Sequence, residues 1–334
     1  MGANVTIRDV ARRAGVAVGT VSHHLNGSAP VAAKTAQRIQ RAIESLGFRV
    51  DLGARGLRSR RTHSIGLVLP NISNPFYAEI ACAIERALWE KGFQTLLCDS
   101  SQDAERERMH LDALESRRVD GILMIRTSER GAGRRHIDRL SVPIVFVDRG
   151  VEGKHSVTSD NRMGGALAAR HLVDLGHRRV GILAGESGVG NVRQRLGGFM
   201  AEMERGGAPV RERDVISGPQ AIEHGYAVAD LMQRRPRPTA VFATNDVVAI
   251  GAWRKLLELG LRIPQDVSLV GFDDIEMSSL LFPPLTTVRQ EKAALGREAT
   301  GLLLRLLAGE RHPAHPTLVI PPELVVRGST GPPT

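Results

Sequence analysis

Cysteine occurs only twice in the 334 residues, at Cys82 and Cys98. Two thiols so far apart supply neither a zinc-ligand set nor a redox dithiol, and they suit a reducing compartment in which neither need pair. Both read as core residues, and no metal or other cofactor is expected. Long apolar runs are also missing: no stretch approaches the roughly 18 to 20 uninterrupted apolar residues that a bilayer span needs. Arg8, Asp9, Arg12 and Arg13 stand where a secretory leader would carry its apolar segment, so neither export nor insertion is expected and the chain reads as cytoplasmic. Two enzyme signatures are absent as well. Gly185-Glu186-Ser187-Gly188-Val189-Gly190 hints at a phosphate loop but lacks the Lys-Ser/Thr of a P-loop and the third glycine of a dinucleotide fingerprint, and Gly-x-Ser-x-Gly does not occur.

With 42% apolar and 24% charged residues the composition is that of a globular chain long enough for a small domain and a larger one. The formal net charge of +9 is unevenly placed. Residues 1–62 hold eleven Lys and Arg against Asp9, Glu44 and Asp51, a surplus of +8, so almost all of the excess lies in the first fifth of the chain. That concentration is the electrostatic footprint of a nucleic-acid-binding module rather than of a generally basic protein.

The local pattern in that segment agrees. Ile7, Val10, Ala11 and Ala14 form the apolar stripe of an amphipathic helix, with Thr6 and Asp9 spaced to cap its start. Gly15 permits a tight turn, Val16 plugs the angle, and Thr20, Val21 and Leu25 continue a second short helix. Two short helices across a glycine turn predict a helix-turn-helix whose second helix enters the DNA major groove. A third helix is expected over Ala32–Leu46, with Ile39, Ala42, Ile43 and Leu46 on one face.

The run Thr6-Ile7-Arg8-Asp9-Val10-Ala11-Arg12-Arg13-Ala14-Gly15-Val16, followed by Thr20-Val21-Ser22 and Leu25-Asn26, resembles the N-terminal signature of the lactose-repressor/galactose-repressor (LacI/GalR) family. The resemblance implies that Val18, Gly19 and His23 face bases, while Thr20, Ser22, Asn26 and Thr35 meet phosphates; Thr6 is expected to contact DNA as well. Val18-Gly19 supplies no bidentate side chain, which leaves a thymine-methyl contact from Val18 and a guanine contact from His23 as direct readout. Where family members carry Ser at the starts of the second and third helices this chain has Ala17 and Ala32, forgoing caps worth on the order of 1 kcal/mol each. Residues 50–62 resemble the family's hinge helix, which implies that Ala54, Leu57 and Arg58 work at the minor groove, Leu57 as an apolar wedge between base steps. Gly53 and Gly56 each cost about 1 kcal/mol in a helix, so this segment is expected to fold only on DNA.

From His63 onward short apolar strands alternate with helical stretches: Ile65–Leu69, Gln94–Cys98, Gly121–Ile125, Pro143–Val147, Val180–Ala184, Ala240–Ala243 and Val267–Phe272. This is the α/β parallel-sheet pattern, and its length points to two lobes. Ligands in such sheets sit beyond the carboxyl ends of the strands. Polar residues and an aromatic pair stand there, including Asn71 to Tyr77, Asp99, Arg126, Asp148-Arg149, Asp160-Asn161, Thr244-Asn245-Asp246 and Asp273-Asp274, a set suited to a polyhydroxylated ligand.

The resemblance continues through Asn74-Pro75-Phe76-Tyr77, Val157-Thr158-Ser159-Asp160-Asn161, Arg195-Leu196-Gly197-Gly198-Phe199 and Gly271-Phe272-Asp273-Asp274. It implies a periplasmic-binding-protein-like sensor in which Phe76, Tyr77, Asp148, Arg149, Asp160, Arg195, Asn245 and Asp273 line an effector site, joined by Asp99, Arg126 and Gln220. Gln220 stands where relatives often place an aromatic ring, which favours a smaller or more polar effector.

The expected organisation is therefore an all-α headpiece at 1–49, a hinge at 50–62 and an effector-binding, dimerising core at 63–330. Its N-lobe would hold about 63–161 and 291–318, its C-lobe about 162–290 and 319–330. The expected protein is a homodimeric, effector-controlled transcriptional regulator, a repressor in kind, on a pseudo-palindromic double-stranded operator. A sugar-binding transport protein or an enzyme on the same α/β scaffold are the rival readings; the missing leader and the basic headpiece oppose the first, the missing catalytic motifs the second.

Overall fold

The computed structural model describes residues 5–26, 29–48, 61–127, 134–186, 190–310 and 317–334. The chain divides into two compact units, Met1–Thr62 and His63–Thr334. In the first, helices α1 (Ile7–Ala14), α2 (Val18–Asn26) and α3 (Ala33–Leu46) close over a core of Val10, Ala11, Ala14, Val21, Ile39 and Ala42. The Asp9 carboxylate accepts from the Thr6 amide and hydroxyl at 3.0 and 2.6 Å. This holds an acid at the positive end of α1, and the Thr6 hydroxyl draws the Asp9 pKa below its ordinary value. Gly15 and Gly47 end α1 and α3 in the left-handed region, at φ 62° and 61°.

One basic residue of the footprint bonds back onto the headpiece's own backbone. The Arg38 guanidinium donates to the carbonyls of Ala14 and Gly15 at 2.5 and 3.0 Å, placing a cation on the carbonyl end of α1 and pinning the turn before α2. Ala32 stands at the start of α3 with no side-chain cap. Ala32→Ser is expected to raise headpiece stability by about 1 kcal/mol. The headpiece transition in thermal denaturation of the full chain measures this, and an unchanged midpoint would mean the missing cap is immaterial.

The second unit runs β1 (Ser64–Leu69), α4 (Pro75–Trp89), β2 (Gln94–Asp99), α5 (Ala104–Ser116), β3 (Gly121–Met124), α6 (Arg134–Ile137), β4 (Ile144–Val147) and β5 (Ser156–Ser159). The chain then passes through α7 (Asn161–Asp174), β6 (Val180–Ala184), α8 (Gly190–Arg205), β7 (Val215–Ser217), α9 (Ile222–Gly225), α10 (Val228–Gln233), β8 (Ala240–Ala243), α11 (Asp246–Glu258), β9 (Ser268–Asp273), α12 (Glu276–Leu280) and β10 (Thr286–Arg289). Last come α13 (Lys292–Leu307), β11 (Thr317–Ile320) and β12 (Glu323–Val325).

Two six-stranded sheets result, ordered β11-β5-β4-β3-β1-β2 and β12-β10-β9-β8-β6-β7. Strands β1, β3, β4, β6, β8 and β9 are almost wholly buried apolar runs, as a sheet covered on both faces requires. Pairing is parallel throughout except for β12, which runs antiparallel to β10. Each order reverses at its second strand, between β1 and β3 and between β6 and β8, so loops fan apart there and open a crevice.

The chain crosses between the sheets three times, after β5, after β10 and after β11. The last crossing lies beyond Ile320 rather than at the expected 318/319 boundary, because Val319 and Ile320 continue the pairing with Thr158 and Ser159 of β5. Cys82 also departs from expectation. It is exposed on the outer face of α4, whose inward positions are taken by Ile80, Ala81 and Ile84.

Candidate effector cleft and nucleic-acid interface

The cleft side chains stand where strands and helices of the second unit end. Asn74 caps α4, accepting from the Phe76 amide at 3.1 Å, with Pro75 at the first helical position. The helix thus begins by presenting two buried rings, Phe76 and Tyr77, edge to face at 5.3 Å. Asp148 and Arg149 follow β4. Arg149 donates to the Tyr77 hydroxyl at 2.7 Å and to the carbonyls of Arg126, at 2.6 Å, and Thr127. Its fork is therefore fixed by the end of β3 before any ligand arrives. Asp148 is buried at φ 63°, and its carbonyl accepts from the Asn191 amide at 3.3 Å. Burial raises its pKa, opposed chiefly by Arg149 and Arg195.

Arg195, on α8, organises the other side. It donates to Asn161 Oδ1 and to the Thr244 carbonyl, both at 2.7 Å, pairs with Asp273 Oδ1 at 3.3 Å, and lies 3.8 Å from the Phe272 ring centroid. Asp273 ends β9 and also accepts from Gln290 at 2.7 Å. Desolvation pushes its pKa up to about 7; Arg195 opposes the rise and Asp246 adds to it. Asp246 is buried too and sits at about 6, its carboxylate bonded to Ser278, Thr287 and the Ile275 amide.

Two cavities share the wall formed by Asp148, Arg149 and Asn191. The inner one, about 10 Å³, is bounded by Asn74, Phe76, Tyr77, Asp148, Arg149, Asn191, Arg195, Gln220 and Asp273. The outer one, about 240 Å³, adds Arg126, Glu152, Thr158, Gln194 and Thr317. The structure thus brings together eight of the expected residues: Phe76, Tyr77, Arg126, Asp148, Arg149, Arg195, Gln220 and Asp273.

Three others lie outside these two linings. Asp99 accepts from the Ile72 and Ser101 amides, Asp160 caps α7 through the Met163 amide, and Asn245 caps α11 through the Val248 amide. Sequence reasoning passed over Glu152, Gln194, Thr317 and, on the wall shared by both cavities, Asn191. The signal for Asn191 was the run Gly185-Glu186-Ser187-Gly188-Val189-Gly190 directly before it in sequence, dismissed as a failed phosphate motif.

On the headpiece, Val18, Gly19 and His23 are exposed on α2, while Thr20, Ser22 and Thr35 are half-buried and the Thr6 hydroxyl is engaged by Asp9. A Cβ added at Gly19 would meet nothing within 4 Å, so this face of α2 is open. Ala54, Leu57, Arg58 and the Asn26 side chain lie outside the described residues.

The sequence matches the family described as bacterial regulatory proteins, lacI family, over residues 6–51, and the periplasmic binding protein-like domain over residues 169–330. It is 36% identical over 332 residues to the HTH-type transcriptional repressor PurR of Haemophilus influenzae (strain PittEE), covering 97% of this chain and 98% of that protein. The chain belongs to the lacI family. As a lacI-family member it is a DNA-binding transcriptional regulator whose operator affinity a small-molecule effector controls.

Solved structures of the family agree with both units. The lac repressor dimer bound to operator and the anti-inducer ONPF superposes with a TM-score of 0.86 at 28% identity, covering 98% of this chain and 100% of that one. The transcriptional regulator CelR in complex with cellobiose superposes at 0.75 with 33% identity, covering 97% and 99%. These relatives are regulators rather than enzymes. Among the described residues no helix is long and apolar enough to cross a membrane.

Proposed function

We propose that this lacI-family chain acts in the cytoplasm as a homodimeric repressor on a pseudo-palindromic operator, and that a carbohydrate or sugar derivative in the cleft sets its grip on DNA. Each headpiece reads one half-site in the major groove through Val18, Gly19 and His23, with Thr6, Thr20, Ser22, Asn26 and Thr35 on phosphates. Ala54, Leu57 and Arg58 act at the operator centre, Leu57 and its mate as the minor-groove wedge. In the cleft Phe76 and Tyr77 supply the apolar face, while Arg126, Asp148, Arg149, Asn191, Arg195, Gln220 and Asp273 meet hydroxyls. Asp99, Asp160 and Asn245 hold the loops that carry these groups.

One observation carries the effector reading. Asp148 Oδ1 is buried and finds no hydrogen-bond partner among the described residues, at the wall shared by the two cavities. A buried carboxylate oxygen calls for a donor, and ligand hydroxyl groups supply one. The cellobiose complex of CelR supports the same class.

The test is selection of a DNA site from a random-sequence pool, followed by thermal denaturation with D-ribose, D-glucose, cellobiose, sugar acids and nucleobases. A palindromic site should emerge, and a carbohydrate should raise the midpoint and change affinity for that site; at a hundred times its Kd a ligand stabilises by about 2.7 kcal/mol. A response to a nucleobase alone would overturn the carbohydrate class, and failure to select any site would overturn the DNA reading. In the same assay His23→Ala is expected to weaken discrimination between half-site variants by roughly tenfold while sparing random-sequence DNA. Unchanged discrimination would remove His23 from the readout.

A further inference from the structure

Lys292 is the first residue of α13, just after the second crossing between lobes. A lysine is disfavoured there, because the amino end of a helix is its positive end, and the acid that stands at the N-cap, Glu291, makes no side-chain capping bond. What Lys292 touches accounts for it. Its ammonium donates to the carbonyls of Asp273 and Asp274 at 3.0 and 2.5 Å and pairs with Glu79 Oε2 at 3.2 Å. The side chain is only 10% exposed.

The two ends of this three-way contact belong to different lobes. Asp273 and Asp274 close β9 with φ of 118° and 52°, conformations that L-residues rarely adopt and that persist only where the surroundings enforce them. The Asp274 carboxylate is tied to the second sheet by Arg289 and Arg327, at 2.7 and 2.6 Å. The Asp273 carboxylate faces the inner cavity. Glu79, on α4 of the first lobe, lies two residues from Tyr77, which faces the same cavity. Lys292 itself is absent from both cavity linings.

We propose that Lys292 is a positioning residue that pins the two lobes together behind the effector cleft. One ammonium holds the strained turn that presents Asp273 and the helix that presents Phe76 and Tyr77. A shift of one lobe against the other must break or carry these contacts, so a ligand that fixes the spacing of Asp273 and Tyr77 is felt at Lys292 without touching it. This holds whatever the effector's chemical class.

The experiment uses the full chain and the DNA site that the wild-type chain selects. Lys292→Met keeps the stem and removes the charge. In ligand-free protein, below its denaturation midpoint, it is expected to speed amide exchange in residues 272–276 and 76–80 selectively and to weaken operator binding about fivefold, the low end of ordinary allosteric coupling. Lys292→Arg should restore both readouts to within about twofold, since it can reach the same carbonyls. A merely structural lysine would lower the midpoint without selective exchange or changed DNA affinity, and that result would overturn the proposal. Should Lys292→Met fail to fold, Glu79→Gln decides: selective exchange in the same two segments supports the pin, and unchanged exchange there overturns it.

Discussion

Gly198→Ala is expected to lower the stability of the sensor unit by about 3 kcal/mol and to impair the cleft with it. The cause is the crossing of α7 and α8. A Cβ at Gly198 would stand 1.9 Å from the Arg162 carbonyl oxygen, and one at Gly165 would stand 2.0 Å from the Arg195 carbonyl oxygen. Both obstacles are backbone, so no rotamer change relieves them, and the helices must separate. That separation moves Arg195, which donates to Asn161 on α7 and to Thr244 and Asp273 across the second lobe.

The adjacent glycine is the control. A Cβ at Gly197 meets only the end of the Arg162 side chain, at 3.5 Å, so Gly197→Ala should be neutral or slightly stabilising, as Gly to Ala is within a helix. For a unit of this size 3 kcal/mol corresponds to a fall of roughly 6–12 °C in midpoint. Equal midpoints for the two variants in calorimetry would refute the close approach.

Removal of Arg195 should be costlier still. Arg195→Met leaves Asp273 buried without its cationic partner, a situation that typically costs 3–5 kcal/mol. Asp273→Asn should behave differently, with an effect that depends on pH. The Asp273 carboxyl is raised from 3.8 to about 7, so the native state holds its proton more tightly than the unfolded chain does. Its contribution to stability is fully present below about pH 3.8 and is lost as pH rises to about 7.

Asp246, at about 6, acts in the same sense over a narrower window, whereas burial depresses His171 and His177 and they act in the opposite sense. Comparison of Asp273→Asn with wild type isolates the one group. The stability of the variant relative to wild type should rise by a few kcal/mol between pH 5 and 8, each pKa unit being worth about 1.4 kcal/mol. A difference that stays flat with pH in urea denaturation would show that Asp273 is ionised throughout, held so by Arg195.

The cleft was legible in outline. Each strand end read as a ligand loop does project to one side of its sheet, and Gln220 lines the inner cavity. Composition could not distinguish carboxylates that face the cavity from those consumed by backbone amides. Asp99 and Asp160 read like Asp148, yet they cap a turn and a helix, while Asp148 keeps an oxygen without a partner among the described residues. The strands β5, β7, β10, β11 and β12 escape the sequence pattern because each is only three or four residues long and contains Ser, Thr or Glu, which leaves too short an apolar run.

What the sequence determined by itself is what local physics controls. Helical periodicity, glycine turns and the crowding of charge into residues 1–62 are sufficient for a DNA-binding headpiece, and buried apolar runs are sufficient for parallel sheets. Tertiary structure alone decided which basic residue bonds the turn after α1, as Arg38 does, which glycines touch backbone, and which lysine spans two lobes. Those outcomes depend on groups that meet across long separations in the chain. Neither periodicity nor composition records such meetings, because each is fixed by how the layers pack.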